Sequence, residues 1–472
     1  MKKRLIALLL ALLLTATGVV WAAGTVANDI ANVVYTQQIL SGDPAAAAGI
    51  TLQHKVQHRN YLHWDTVLTF GEDGYTTDTT FTYTPDRTWE ESAYEHEGVM
   101  MWLDASADYN LDIPRELHEG FDLVMYDLYM ETAKGETKSR TVRLSDCYEY
   151  YPIDFQVDLP GHHFYSDERI YWYSNADDAY NAAWKRVDDG FREFFRIPSC
   201  TDEEYGLYLT KSTDGGMHYS SGLTDAAAEA EQYYVSSYAV SDETGIWFTF
   251  STHTTEGNVV DTSLIPGGYG IYYLPIREVE VSVAPCDGIM TEELRCIYPM
   301  DPAVEVKSLS RASDGSLLVS YETDDGSLWV DVVDPKSGAQ RQTMKLCAPL
   351  EDAEIWVNPL KGDNCIVYFV SADRVIVLEE ADNGIVQRLN VPMERLAKVS
   401  YGYYDSHIGW DGTRLVMTCP RHEGHTDTDL VLSVYTAEGL QFTGAYACSL
   451  TQAYSNYNNY NVDGYPKVVS MK

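Results

Sequence analysis

A loop near the C-terminus concentrates imidazole and carboxylate groups, the side chains that bind divalent metal ions. It reads Arg421-His422-Glu423-Gly-His425-Thr-Asp427-Thr-Asp429, and the candidate ligands are His422, His425, Asp427 and Asp429. Nitrogen and oxygen donors of this kind suit zinc and related ions. The two histidines are three residues apart in a loop, which fixes no ligand geometry. A polar hairpin loop is therefore the simpler interpretation, and a metal site is the alternative.

A second acidic segment has part of the spacing of a calcium-binding loop. Positions 1, 3, 5 and 12 of a twelve-residue loop carry oxygen ligands, in Asp108, Asn110, Asp112 and Glu119. Position 6, where the turn requires glycine, is Ile113, and Pro114 follows it. A solvated acidic loop is therefore favoured. Calcium or another divalent cation is the alternative, and the sequence assigns no cofactor.

One segment has the residue pattern of a known hairpin motif. Ser212-Thr-Asp214-Gly-Gly216-Met-His-Tyr219 reads Ser-x-Asp-x-Gly-x-x-aromatic. It resembles the Asp-box of the BNR-repeat, sialidase-like β-propellers. The resemblance implies a β-hairpin in which Ser212 and Asp214 bond turn amides, Gly216 takes a positive φ and Tyr219 packs on the blade. The motif is structural in that family, so it bears on the fold rather than on a reaction.

A second short segment is similar to a sialidase motif. Phe195-Arg196-Ile197-Pro198 matches Phe-Arg-Ile-Pro, whose arginine helps to bind the substrate carboxylate in sialidases. Only 16 residues separate Arg196 from Ser212, less than one blade, and no Asp-x-Arg segment lies between them. A helix end stopped by Pro198 is the simpler interpretation, because proline cannot continue a helix, and a degenerate sugar-acid site is the alternative.

The sequence contains no complete set of catalytic residues that we can assign. Sialidases also need an arginine triad and a Glu–Tyr pair, and neither is recognisable here. A non-catalytic protein that binds a glycan or another protein is therefore the favoured function. A sialidase-like glycoside hydrolase, with Arg196 as a ligand for substrate, is the alternative.

Three segments near the C-terminus repeat at nearly constant intervals. Their turns, Asp314-Gly315, Asp363-Asn364 and Asp411-Gly412, begin 49 and 48 residues apart, and each precedes a β-rich run. A period of 40 to 50 residues filled with short strands is typical of β-propeller blades. We therefore predict an all-β fold, a single propeller of six to eight blades with seven expected. A β-sandwich with accidental spacing is the alternative.

Each repeat divides into four short runs bounded by turn residues. The first repeat predicts strands at Val304–Leu309, Leu317–Tyr321, Leu328–Val333 and Arg341–Lys345. The second predicts them at Glu354–Asn358, Cys365–Val370, Val375–Glu379 and Ile385–Asn390. The third predicts them at Lys398–Tyr404, Arg414–Cys419, Leu430–Tyr435 and Gln441–Ala447. The propeller is predicted over residues 50–472, with blades clearest in 300–450.

Other parts of the chain carry weaker patterns. Residues 25–49 form a lead-in that begins with a helical pattern and is stopped at Gly42-Asp43-Pro44. Strands are predicted downstream at Thr51–His58, Asp65–Phe70, Thr79–Thr84, Leu123–Glu131 and Ser139–Leu144. Two irregular blades are the favoured interpretation of these strands, and a small separate β-domain is the alternative. Apolar residues at spacings of three and four predict an inserted helix over 177–195, and Ala226–Gln232 is a weaker interruption.

The N-terminus has the composition of an export signal. Residues 2–4 are basic, Leu5–Leu14 are apolar, and Thr15–Ala23 are rich in small residues. Cleavage after Ala22 or Ala23 would release a secreted protein. The uncharged stretch 5–24 is also long enough to remain as a membrane anchor, so residues 1–24 are a signal peptide or a signal anchor. Either outcome predicts an extracytoplasmic protein.

The charge balance limits the partners. The chain has 33 Lys and Arg against 71 Asp and Glu, a net charge of −38, and no basic cluster outside residues 2–4. Because such a chain repels polyanions, nucleic acid is excluded. A glycan or protein at the cell surface is the expected partner, and a membrane only through residues 5–24. The tract Tyr454–Tyr460 is a candidate sugar-stacking surface or a flexible connection.

Eight cysteines in an exported chain permit disulfides. Cys286 and Cys296 are ten residues apart, which suits a local bridge. Cys365, Cys419 and Cys448 lie in or beside predicted strands, where buried thiols are equally ordinary.

The export signal predicts the location of the protein. Cells that express the chain with a C-terminal tag should carry the tag outside the cytoplasm, either in the medium or on the outer side of the membrane. Fractionation followed by immunoblotting measures this. A cytoplasmic pool of full-length, unprocessed chain would contradict the prediction.

Overall fold

The computed structural model describes most of the chain after residue 32. The described ranges are 33–58, 62–83, 98–103, 105, 114–166, 178–199, 203–224, 233–254, 260–279, 282–349, 357–371, 374–382, 384–393, 407–422, 427–450, 460–462 and 467–472. The chain divides into two compact units, Tyr94–Ile355 and a second that combines Met1–Ala93 with Trp356–Lys472. Antiparallel sheets dominate both units, so the protein is all-β with few helices.

In the unit Tyr94–Ile355, the described strands form four antiparallel sheets. The first has the order β5 (Gly98–Leu103), β7 (Ile153–Leu159), β8 (His162–Tyr165). The second has the order β10 (Met217–Leu223), β9 (Glu204–Lys211), β6 (Thr137–Arg143). The other two are four-stranded meanders. The third sheet has the order β11 (Tyr233–Asp242), β12 (Gly245–Thr254), β13 (Gly270–Pro275), β14 (Arg295–Pro299). The fourth has the order β15 (Glu305–Arg311), β16 (Leu317–Glu322), β17 (Leu328–Val333), β18 (Gln340–Cys347).

The second unit contains three sheets among its described residues. One is a four-stranded meander of β19 (Val357–Lys361), β20 (Cys365–Val370), β21 (Arg374–Ala381) and β22 (Gly384–Pro392). Another has the order β1 (Tyr35–Gly42), β26 (Gly439–Cys448), β25 (Asp427–Thr436), β24 (Leu415–His422), β23 (His407–Trp410). The third has the order β27 (Tyr460–Val462), β2 (Ile50–His58), β3 (Leu62–Gly71), β4 (Gly74–Tyr83), and β28 (Lys467–Met471) also pairs with β2.

The repeat prediction is confirmed at the level of the strands and their order. The first repeat forms the sheet β15–β18, whose strands differ from the predicted bounds by two residues at most. The second forms β19–β22, with Cys365–Val370 matching at both ends. The third supplies β24–β26, while the strand predicted at Lys398–Tyr404 falls in residues 394–406, outside the described part of the chain.

The helical pattern predicted for the lead-in segment is wrong over its second half. Tyr35–Gly42 form strand β1, which pairs with β26 from Tyr35↔Cys448 to Gly42↔Phe442. The edge of a sheet offers a row of unpaired backbone donors and acceptors, and β1 satisfies them. This long-range pairing outweighs the local helical pattern. The stop at residues 42–44 is retained, because Asp43 accepts a bond from the Ala45 amide where a short 3₁₀ helix, Pro44–Ala47, begins.

The strand predicted at Leu123–Glu131 is also wrong. Gly120–Glu131 form helix α1, and its buried residues Phe121, Met125 and Leu128 have helical spacing. Tyrosine and valine favour strands, but the helix buries these three side chains in the core of the unit, and tertiary packing overrides the propensity. Helix α2 (Leu144–Cys147) and the 3₁₀ turns Arg115–Leu117 and Thr291–Glu293 are short.

Helix α3, Asp178–Phe194, lies where the periodicity predicts an inserted helix. Phe191 stacks on Phe155 of β7 with ring centroids 4.5 Å apart. Arg186 Nη1 donates to the Ile289 carbonyl at 2.9 Å, and Nη2 donates to the Asp287 carbonyl at 3.1 Å. The helix is therefore packed on one side by aromatic rings and tied on another to a loop.

Two further sequence predictions concern covalent links and the membrane. Cys286 and Cys296 are free thiols, so the local bridge is wrong, and burial raises the pKa of each to about 11. Cys286 lies in a turn after residue 285, whereas Cys296 lies inside β14. Among the residues that the structure describes, no helix is long and apolar enough to cross a membrane. Residues 1–24 and the interruption at Ala226–Gln232 lie outside those residues.

The contacts of Arg186 predict a stability effect. Arg186→Met keeps the aliphatic stem but removes the bonds to the 286–289 carbonyls, and should lower the free energy of unfolding by about 1–3 kcal/mol. The matched control is Lys185→Met, because Lys185 pairs with Asp189 across an exposed surface, a contact worth at most about 1 kcal/mol. Urea unfolding of both variants measures the difference. Equal losses would show that the Arg186 contacts contribute little.

Candidate functional site

The outward face of the three-stranded sheet β6–β9–β10 carries small hydroxyl side chains around one tyrosine. Side chains directly opposite each other in paired strands share a face. The two central rows of this face are Ser139–Tyr208–Ser220 and Thr141–Gly206–Gly222. The row Thr137–Thr210–His218 and the pair Arg143–Glu204 lie at the two ends. We call these residues the hydroxyl face.

The opposite face of the same sheet is covered by helix α1. Leu207 and Leu209 of β9 are fully buried there. Lys211 Nζ donates to the Tyr129 carbonyl at 2.5 Å and lies over the Tyr129 ring, and Arg140 pairs with Glu131 at 3.2 Å. Because successive side chains alternate between faces, burying this side fixes the hydroxyl face outward.

Tyr208 lies at the centre of the hydroxyl face and is 51% exposed. Its ring lies along the strand, above Gly206. A Cβ atom at position 206 would lie 2.8 Å from Cε2 of the ring and 3.0 Å from the phenol oxygen. Because glycine has no Cβ, Gly206 leaves the space that the Tyr208 ring occupies. The Tyr208 hydroxyl makes no hydrogen bond within the described residues. A half-exposed ring with a free hydroxyl can stack on a ligand and bond to it.

Gly222 pairs with Gly206 on the hydroxyl face, and no described side chain lies over it. A Cβ at Gly222 would meet no atom within 4 Å, and its backbone φ is not in the left-handed region. Glycine is therefore not required there by backbone geometry or by crowding. Its effect is to leave an open furrow over β10, beside the Tyr208 ring.

The charges of the hydroxyl face lie at its ends. Arg143 Nε is 3.4 Å from Glu204 Oε1, so these charges offset each other at one end. At the other end, the Thr137 and Thr210 hydroxyls are 2.9 Å apart beside the exposed His218. The two central rows contain no ionisable group other than the phenol of Tyr208. The arrangement therefore suits a ligand that brings hydroxyl groups rather than charge.

The segment with the Asp-box pattern forms the turn between β9 and β10. The Ser212 amide donates to the Gly216 carbonyl at 2.8 Å, and the Gly216 amide donates to Asp214 Oδ1 at 3.1 Å. The Ser212 hydroxyl oxygen lies 2.8 Å from the Gly216 carbonyl oxygen. The Ser212 hydroxyl also contacts Asp214, and this bond and the Gly216 amide lower the pKa of Asp214. The turn sets the register of β10 on β9 and so places the hydroxyl face.

Two details of this turn differ from what the resemblance implies. The residue with positive φ is Gly215, at +95°, and Gly216 is not among the left-handed residues. Gly216 is instead required by space, because a Cβ there would lie 2.7 Å from Ser212 Oγ. Tyr219 belongs to the face opposite the hydroxyl face and is still 42% exposed.

The same turn geometry recurs in the sheet β15–β18, where the sequence did not lead us to expect it. In Thr323–Ser327, the Thr323 amide bonds the Ser327 carbonyl at 3.1 Å and the Ser327 amide bonds Asp325 at 3.0 Å. The Thr323 hydroxyl and the Ser327 amide lower the pKa of Asp325. Ala312–Ser316 has these backbone bonds without the first hydroxyl. The signal was available as a five-residue pattern, x-x-Asp-Gly followed by Gly or Ser.

Arg196 contacts surface groups in the described part of the chain. It lies between the buried Phe195 and Ile197, and its exposed guanidinium is 3.6 Å from Glu193 and above the ring of Tyr150. It follows helix α3 directly, in accord with the helix-end interpretation.

A tyrosine–glutamate pair lies near this segment but is buried. The Tyr151 hydroxyl donates to Glu203, and these residues are only 5% and 2% exposed. Tyr205 donates to the other Glu203 oxygen at 3.2 Å. A substrate would have to displace core packing to reach this carboxylate, so the arrangement serves to satisfy a buried charge.

Most of the candidate cation ligands lie outside the described residues. These are His425, the side chains of His422, Asp427 and Asp429, and residues Asp108, Asn110 and Asp112. The backbone of His422 pairs with Asp427 between β24 and β25, as a hairpin requires. Within the described residues, no group of three or more His, Cys, Asp or Glu side chains is arranged to hold a metal ion. The tract Tyr454–Tyr460 is described only at Tyr460, as the first residue of β27.

An open cleft lies beside the β7–β8 hairpin. This open cleft has a volume of about 450 Å³ and is lined by Leu159, Gly161, His162, His163 and residues 282–285. His163 is 3.9 Å from Asp158 and packs edge-on against Tyr165, and burial lowers the pKa of His162. Ser282, also in the lining, donates its hydroxyl to the Ala284 carbonyl, and His162 Nδ1 is buried without a hydrogen-bond partner among the described residues.

Comparisons with known proteins give no family. No family model matches the chain, and no curated protein matches it. Among solved structures, it is similar to a "putative 6-phosphogluconolactonase" from Bacteroides uniformis ATCC 8492, with 12% identity over 53% of this chain and 70% of the other and a TM-score of 0.25. A protein of the same description from Bacteroides fragilis NCTC 9343 has 10% identity over 75% and 83%, with a TM-score of 0.25.

A third similar structure is a triple mutant of AofleA from Arthrobotrys oligospora. It has 9% identity over 93% of this chain and 94% of the other, with a TM-score of 0.26. TM-scores of this size carry no argument about fold or function.

The turn Ser212–Gly216 predicts a pH-dependent stability effect. Asp214→Ala should lower the melting temperature, because it removes the acceptor for the Ser212 hydroxyl and the Gly216 amide, and Asp214→Asn should lower it less. Since the folded pKa of Asp214 is lowered, its stabilisation is full above the unfolded value of about 3.9 and is lost as pH falls through the folded pKa.

The melting difference between wild type and Asp214→Ala should therefore be constant from neutral pH to mildly acidic pH and shrink below it. Differential scanning fluorimetry across this range measures it. Unchanged melting together with lost ligand binding would instead mean that Asp214 contacts the ligand.

Proposed function

We propose that this chain is an exported, non-catalytic cell-envelope protein that binds a glycan on its hydroxyl face. The observation that carries the proposal is the exposed Tyr208 ring among free serine and threonine hydroxyls. Sugars offer apolar C–H faces that stack on aromatic rings, and hydroxyls that bond to hydroxyls. A sheet held rigid from behind by α1 presents these groups without a large ordering cost.

We further propose that the sheets are the blades of one seven-bladed β-propeller. Three of the seven described sheets are four-stranded meanders, as a blade requires. Strand β1 pairs with β26, and β27 and β28 pair with β2, so each end of the chain completes a sheet built from the other end. A closed ring of blades needs such a link between its first and last segments. The Asp-box resemblance of Ser212–Tyr219 supports the same class.

The proposed location follows from the sequence. The basic residues 2–4 and the apolar Leu5–Leu14 support export, either with cleavage or with residues 5–24 kept as an anchor. The net charge of −38 supports a soluble surface outside the cytoplasm and disfavours nucleic acid. In this setting a glycan of the envelope is the natural ligand class.

The alternative function, a sialidase-like glycoside hydrolase, has less support. Arg196 contacts Glu193 and Tyr150, and the Tyr151–Glu203 pair is shielded by core packing. A panel of fluorogenic glycosides separates the two functions. Turnover that Arg196→Ala abolishes would overturn the binding proposal.

The binding proposal predicts that glycan affinity depends on one exposed tyrosine of the sheet β6–β9–β10 and not on another. Tyr208→Ala should weaken glycan binding roughly tenfold, because an aromatic contact of about 1.4 kcal/mol corresponds to that factor. Tyr219→Ala is the matched control, since Tyr219 has similar exposure on the opposite face. A glycan array with the purified chain, followed by titration of any hit, measures both. Equal binding by wild type and a folded Tyr208→Ala variant would place the site elsewhere.

A further inference from the structure

We infer that the ligand of the hydroxyl face is an uncharged, linear glycan that lies along the strands. One sugar ring stacks on the Tyr208 ring, and the neighbouring unit occupies the open position over Gly222 beside that ring. This inference rests on the proposed function, and adds the charge of the ligand, its direction and its depth of contact.

The direction follows from the shape of the face. Rows along a strand are about 7 Å apart and strands about 4.8 Å apart, so the four rows form a strip about 20 Å long and 10 Å wide. Tyr208 reclines along this strip rather than across it, since its ring lies over Gly206 of the same strand. Along the strip, the next row toward Glu204 holds two glycines and one threonine. Because the Tyr208 ring covers Gly206, the open position in this row is Gly222 on β10, so a chain running with the strands lies along the ring with the open position at its side.

The open position at Gly222 determines how closely the ligand can approach the sheet. Nothing lies within 4 Å of the position a Cβ would take, so the furrow is open from the side of β10. Ser139, Thr141 and Ser220 border the Tyr208 ring and the furrow, are exposed, and make no hydrogen bond through their side chains within the described residues. Three free hydroxyls around one aromatic ring match the equatorial hydroxyls and the C–H face of a sugar.

The charge follows from what the central rows lack. An anionic sugar would need a cation, but Arg143 is paired with Glu204, the exposed His218 lies at the far end outside the two central rows, and the chain as a whole carries −38. A cationic amino sugar would need a carboxylate, and the only one on the face is Glu204, which Arg143 already neutralises. A neutral ligand avoids both costs, since unpaired charge at a contact is expensive to desolvate.

The size of the strip favours a glycan over a protein. Its area is about 200 Å², whereas each partner in a stable protein complex buries about 800 Å². Its small polar side chains also differ from the aromatic and arginine anchors of protein interfaces. A short run of sugar units fills such a strip.

The test is affinity electrophoresis of the full chain in native gels that contain one polysaccharide each. The neutral probes are dextran, pullulan, mannan, xylan and hydroxyethylcellulose. Dextran sulfate and carboxymethylcellulose are charged derivatives of two of these backbones. We expect retardation by at least one neutral probe, little change in it between low and high NaCl, and weaker retardation by the charged derivatives, because screening affects only charged contacts.

The furrow is tested by Gly222→Val. Its backbone conformation accepts any residue and valine favours strands, so the variant should be at least as stable as wild type but should lose at least tenfold in affinity. Gly222→Ser, with less bulk, should lose less, and it replaces the valine variant if that variant does not fold. Tyr219→Ala should bind as wild type does.

The outcomes distinguish this inference from the function on which it rests. Retardation by charged probes alone, lost in Tyr208→Ala and reduced by salt, would overturn the inference and keep glycan binding on this face. If a folded Gly222→Val variant retains wild-type binding of a neutral polysaccharide, the ligand does not occupy the furrow at Gly222. Absence of retardation by every neutral probe would overturn the inference, and capture of a protein partner by the same face would overturn the proposed function as well.

Discussion

The site depends on one constraint, the burial of a single side of the sheet β6–β9–β10. A strand alternates its side chains between two faces, so a shift of one residue would exchange the faces completely. Leu207 and Leu209 are buried against the core, and Lys211 reaches the carbonyl of Tyr129 in α1. With those residues fixed inward, Tyr208 between them must point outward. The exposed tyrosine is therefore a consequence of the register rather than a failure to bury an aromatic ring.

The turn that sets this register uses acidic side chains in a structural role. Asp214 and Asp325 each accept a hydroxyl and a backbone amide inside a five-residue turn, and in both the bonds lower the carboxyl pKa. Asp43, Asp242 and Asp411 likewise accept backbone amides in turns. Part of the large excess of acidic residues thus serves hairpin turns.

The sequence predicted the fold best where turn chemistry and strand periodicity agreed locally. The sheet β15–β18 followed from Asp-Gly turns and short apolar runs, and helix α3 followed from apolar spacing. Prediction failed where distant partners decided the structure: β1 is a strand because β26 offers an open edge, and α1 is a helix because its core-facing residues pack there. The hydroxyl face was missed for the same reason. Thr137–Arg143 pair with Glu204–Thr210 across more than sixty residues, and no local sequence pattern predicts that pairing.

Tyr208 also has a purely structural explanation, and the neighbouring glycine decides between the two. An aromatic ring laid over a strand glycine shields the backbone and compensates for the missing side chain, which accounts for Tyr208 over Gly206. It does not account for Gly222, which faces Gly206 with no cover and weakens its strand without relieving strain or crowding. Stability alone favours a β-branched residue at that position. Within the described residues, no contact or backbone strain explains the uncovered glycine beside a half-exposed ring, and this is the observation that supports the proposed ligand furrow.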